Sequence, residues 1–136
     1  MSILVTDKGF GPDDWTGGFA APGEAANDVA ALDVPSDADP AKLVDHLAGV
    51  ALIRVDFPSS ADGRGFTIAQ VLRLQGYTGR LRAKGHILAD QYAMARRSGF
   101  DEIEIDETLA ERQPEDQWLF RANWRENDHR SRLRTG

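Results

Sequence analysis

FPSSADGRGFTIAQVLRLQGYTGRLRAKGHILADQ, residues 57–91, reads as the end of a strand, a glycine-rich loop, a helix, a turn, a second strand, a glycine and the start of a second helix. The first helix is predicted over Phe66–Gln75. Thr67 and Gln70 match a capping box, and Phe66 with Val71 matches a hydrophobic staple. Ile68, Val71, Leu72 and Gln75 give it an inner stripe, and Gly76 ends it. Gly79–Gly85 then alternates, with Leu81 and Ala83 on one side and Arg80, Arg82 and Lys84 on the other, as a strand requires.

Outward from this stretch the same two periods recur. Upstream, Ala51–Phe57 (ALIRVDF) is a strand with Ile53, Val55 and Phe57 facing one way and Leu52, Arg54 and Asp56 the other; Pro58 ends its ladder. Before it come a short apolar strand, Val29–Val34, and a helix opened by Pro40 and closed by Gly49, with Leu43, Val44 and Leu47 on one face. His46 in that helix reads as a surface residue. Downstream, a helix over Ile87–Ser98 ends at a left-handed cap on Gly99, closed by Phe100. Asp101–Asp106 (DEIEID) is a strand with Ile103 and Ile105 inward and Glu102, Glu104 and Asp106 outward.

The ends are less regular. Met1–Asn27 carries five glycines and two prolines, a composition that favours a flexible segment. Ile3, Leu4 and Val5 can still add a short edge strand, and Trp15 and Phe19 read as packing anchors. Past Asp106 a helix begins near Thr108, Pro114 breaks it, and a second, charged helix runs from Glu115 towards Arg130. Trp118 and Trp124 pack this tail down. The division is a flexible segment (1–27), an α/β core (28–107) and a helical, arginine-rich tail (108–136).

The order β-α-β-α-β-α-β with short connections implies a small parallel sheet of about four strands in sequential order, half-barrel-like. Right-handed crossovers then put the helices mainly on one face. The opposite face carries Arg54, Asp56, Arg80, Arg82, Lys84, Glu102, Glu104 and Asp106. Two readings stand. It is a salt-bridged polar face, or it is the inside of a half-barrel, or an interface covered by the arginine-rich tail or a second chain.

Composition removes several function classes. A formal charge of −6 over 136 residues argues against nucleic acid as a partner. No apolar run approaches the roughly 20 residues of a membrane span, and the start lacks the regions of a signal peptide, so a cytoplasmic location is expected. The chain has no cysteine, hence no thiol couple and no thiolate-held metal or cluster. No metal site is expected and no cofactor can be named. An electron-transfer role would need a bound organic cofactor or a partner holding the redox centre.

Parallel sheets bind ligands beyond the carboxyl ends of their strands. That edge is expected to carry Asp62, Gly63, Arg64, Gly65 and Thr67 on one side and Arg82, Lys84, Gly85, His86, Asp90 and Gln91 on the other. Gly63 and Gly65 can turn backbone amides towards an anion, and Arg64 can clamp a carboxylate, sulfate or phosphate. The competing reading is a tight structural turn capped by Asp62, with Arg64 paired to a carboxylate. The pattern is neither the Walker loop nor the dinucleotide fingerprint, and no catalytic dyad or triad can be drawn.

Asp62-Gly63-Arg64-Gly65, Leu72-Arg73, Leu81-Arg82-Ala83, Gly85, Asp90-Gln91 and Gly99-Phe100-Asp101 together resemble the bacterial domain of unknown function 934 family, over roughly Val34–Asp106. Members of that family are described as oxidoreductases of sulfite reduction. The resemblance implies a cytoplasmic role beside assimilatory sulfite reductase, as a binding or electron-delivery partner. It supplies no catalytic mechanism. Thr67 stands where the family often has serine, and Ser98 where it often has cysteine, which weakens a thiol-based redox role. A small-anion enzyme at the DGRG turn and a structural homodimer sharing the polar sheet face are the alternative expectations.

Overall fold

The computed structural model describes residues 2–15, 17–20, 30–43, 47, 49–122 and 124. Val29, Val44, His46 and the tail arginines from Arg125 onward lie outside the described residues.

Among the described residues six strands form one sheet: β1 (Ser2–Thr6), β2 (Gly9–Pro12), β3 (Ala31–Val34), β4 (Leu52–Phe57), β5 (Arg80–Gly85) and β6 (Glu102–Asp106), in the spatial order β2-β1-β6-β5-β4-β3. The four expected strands are present, parallel and in sequence order. The expected count was too low, however, and the sheet is not wholly parallel. β1 and β2 form an antiparallel hairpin that adds to the far side of β6. β1 is therefore an interior strand, and β2 takes the edge. Gly9, Gly11 and Pro12 made this stretch look like loop, yet Gly9 is what allows the hairpin to turn back, at φ +108°.

The helices are α1 (Pro40–Leu43), α2 (Arg64–Leu74), α3 (Tyr92–Ser98), α4 (Glu107–Arg112) and α5 (Glu115–Leu119), with a 3₁₀ turn at Ala89–Gln91 before α3. α2 opens two residues before the expected Phe66, and its N-cap is Gly63; Thr67 is exposed and caps nothing. Gly65 lies inside this first turn because helix and strand touch there: a Cβ on it would collide with the Phe57 ring. The buried stripe is accordingly Gly65, Phe66, Ile68, Ala69 and Leu72, with Gln75 exposed. Gly99 has the left-handed conformation expected of it, and Phe100 closes the cap, its N–H donating to the Ala95 carbonyl at 3.1 Å.

The core lies between the helices and the inward row Val5, Ile53, Val55, Phe57, Leu81, Ala83, Ile103 and Ile105. Phe57 packs on Phe66 and Phe100 with ring centroids 5.0 and 5.8 Å apart. Trp118 is buried against Tyr92, edge-on at 6.2 Å, and donates Nε1–H to the Gln113 carbonyl, so α5 is pinned to the body.

The second face of the sheet is charged, as its alternation required, and its middle is covered. Arg82, Glu102 and Glu104 are buried. Asp13–Ala20 crosses over them: Asp13 pairs with Arg82 and Asp14 with Arg80, the Phe19 ring lies 3.7 Å from the Arg54 guanidinium carbon, and Ala20 bridges to Leu32 on β3. The cover is the chain's own N-terminal segment. Among the described residues the tail does not supply it.

Candidate functional site

Parallel pairing of β4 with β5 brings the two halves of the expected site to one rim. The His86 N–H donates to the Phe57 carbonyl at 3.0 Å, and Gln91 Nε2 donates to the Ser60 carbonyl at 2.8 Å, tying the loop after β4 to the turn after β5. Gly85 makes this approach possible. Its φ is +123°, and any Cβ there would meet the Phe57 carbonyl oxygen.

On the β4 side the polar groups serve one another. Asp62 accepts from the Arg64 backbone N–H at 3.1 Å and from its guanidinium at 2.7 Å, and Arg64 Nη2 also donates to Ser36 Oγ at 3.0 Å. This arginine, with its backbone N–H, holds the Asp62 carboxyl down at about 2. The Arg64 side chain is 59% exposed, so it is paired but open to solvent. Gly63 lies in open space, while Gly65 is a packing residue. The DGRG turn is thus a self-paired turn at the mouth of α2.

On the β5 side, Gln91 is a structural tie: its Oε1 also accepts from the Leu88 N–H at 2.9 Å. Asp90 is exposed and pairs with Arg121 beyond α5 at 2.6 Å. Lys84, Gly85 and His86 line a cleft of about 200 Å³ with Ser2, Glu104, Asp106, Thr108 and Arg112. Arg82 belongs to none of this. It points across the covered face, where its Nε donates to Glu102 at 2.6 Å and its Nη1 to Glu104 at 2.8 Å.

Around Arg82 the charges form one network. Arg54 bonds Asp33 and Glu104, and Arg80 bonds Asp14 and Glu102. Burial disfavours the charge on each of the three arginines, but the adjoining carboxylates outweigh it and raise all three pKa values. Arg82 Nη2 is buried with no hydrogen-bond partner among the described residues; Asp14 is 3.6 Å away.

The model of a family described as bacterial protein of unknown function (DUF934) matches residues 31–127. The chain belongs to that family. No curated protein and no solved structure matches it. The DUF934 region begins at β3, so the β1–β2 hairpin and the strap over the charged face lie outside the matched residues.

Within the DUF934 region, several of the motif residues are accounted for by architecture. Arg73 donates to the carbonyls of Gly99, Tyr77 and Gly79 and pairs with Asp101, whose Oδ2 also accepts from the Leu81 N–H. This clamp closes the amino ends of β5 and β6, the end opposite the candidate site. What sequence reasoning missed at the rim is Arg112 and Thr108. Their signal was Asp106, whose carboxylate caps α4 by accepting from Leu109 N–H at 2.8 Å and so turns that helix back over the β6 exit.

Proposed function

We propose that this DUF934 protein is a binding partner of sulfite reductase in assimilatory sulfite reduction, acting by docking. The motif resemblance motivates the choice of partner. The observation that carries the docking reading is a presented aromatic at the rim. Phe120 follows α5 with 72% of its surface exposed, and the Arg121 guanidinium carbon lies 4.8 Å from its ring centroid. Asp90 holds that guanidinium at 2.6 Å, so the pair is fixed before any partner arrives. Exposed aromatic–arginine pairs on rigid supports are what interface hot spots are made of. Leu88 and Leu119, both exposed, sit on the two segments that Asp90 and Arg121 join. The net charge of −6 favours a basic partner surface.

The alternatives have less support. The arginine proposed to clamp a substrate at the DGRG turn is already held by Asp62 and Ser36. The sheet face that two copies could share is occupied by Asp13–Phe19 of the same chain. The tagged protein, pulled down from bacteria growing on sulfate, is expected to recover the reductase, and its deletion to slow growth on sulfate but not on cysteine. Recovery of no reductase together with normal growth on sulfate would overturn the proposal.

A further inference from the structure

We propose that the cleft between the carboxyl ends of β5 and β6 binds a small oxyanion, held by Lys84 and Arg112 with His86, Ser2 and Thr108 beside them. This goes beyond the docking reading and holds whether or not a partner binds. It also moves the anion away from the DGRG turn, where the sequence had suggested it.

The charges single the cleft out. Among the described residues, Arg112 is the arginine without a hydrogen bond, ion pair or ring contact; Arg54, Arg64, Arg73, Arg80, Arg82, Arg96, Arg97 and Arg121 all have one. Lys84 is half-buried on β5 and likewise has no polar partner among them, although Asp56 and Glu104 are its neighbours in register. Glu104 is saturated by Arg54, Arg82 and the Ser2 hydroxyl, at 3.1, 2.8 and 3.2 Å. The other carboxylate of the cleft, Asp106, is turned to the Leu109 N–H as the cap of α4. Within the cleft of about 200 Å³ the carboxylates of Glu104 and Asp106 are thus engaged elsewhere, and the side chains of Lys84 and Arg112 are left to meet a ligand.

That volume suits an anion of a few heavy atoms. Lys84 supplies a point charge from β5, Arg112 a two-pronged donor from the last turn of α4, and the hydroxyl of Thr108 a neutral donor, while the Ser2 hydroxyl stays with Glu104. The site sits at the carboxyl edge of a parallel pair, where such sheets hold ligands.

The test is titration of the ¹⁵N-labelled full chain with sodium sulfate, sodium sulfite and sodium phosphate, at ionic strength held constant with chloride. Saturable amide shifts are expected at Lys84–Ile87 and Thr108–Arg112. R112Q and K84Q should each weaken the apparent affinity roughly tenfold, the loss of one charge-assisted contact, while R64Q binds as the parent does. R112Q changes an exposed side chain and reports even if K84Q disturbs the fold. Linear, non-saturating shifts with all three anions would overturn the proposal. So would shifts centred on Ser36, Asp62 and Arg64, or an R112Q variant that binds as tightly as the parent.

Discussion

Asp62 and Glu104 are both carboxylates gripped by arginine, and their surroundings give the two grips different weight. Asp62 lies at the surface, where an ion pair is screened and fixes a local geometry more than it stabilises the fold. Its consequence is read by titration. The side-chain carboxyl of Asp62, followed by NMR, should titrate near 2, and in R64Q it should return towards the ordinary carboxylate range. Because the folded value is the lower one, the contribution is present above the unfolded pKa and fades as pH falls from about 4 towards 2. Glu104 is buried beneath the strap and holds Arg54, Arg82 and Ser2 together. Glu104→Ala leaves two largely buried arginines short of a counter-charge. Urea denaturation should show a loss of about 3–5 kcal/mol. A loss below about 1 kcal/mol would mean that the charged face is open to solvent.

At the scale of elements, the joint between β4, β5 and α2 decides the geometry of the rim. Gly85→Ala should cost roughly 2 kcal/mol or more, because it combines a left-handed backbone with a collision against the Phe57 carbonyl. Gly65→Ala should cost about 1–3 kcal/mol by overpacking against the Phe57 ring. Thermal or urea unfolding checks both, and Gly63→Ala, in open space, serves as the comparison. These elements were largely legible in the sequence, since alternation in ALIRVDF, GRLRAKG and DEIEID is local and its period is unambiguous. The start of α2 was not, because the glycines of DGRG read as turn while one of them is a packing residue. The β1–β2 hairpin escaped for a different reason: a strand such as Gly9–Pro12 owes its existence to its neighbour rather than to its own side chains.

For the whole molecule, the least legible feature was how the charged face is closed. Asp13 meets Arg82 across 69 positions of sequence, and no local pattern announces such a pairing. The same holds for the proposed docking surface, where Asp90 and Arg121 come together only because α5 folds back onto the 3₁₀ turn. That Lys84 and His86 lie at the carboxyl rim could be read from strand order, while Arg112 joined them only through the return of α4. With the middle of its second face covered and the Arg64 turn self-paired, the molecule leaves Phe120 and Arg121 outward, the pair on which the proposed docking rests. Calorimetric titration of purified sulfite reductase with the purified full chain tests this most directly. A saturable complex is expected, weakened about tenfold or more by Phe120→Ala and left unchanged by Arg64→Gln. The absence of a complex, or a Phe120→Ala variant that binds as tightly as the parent, would contradict it.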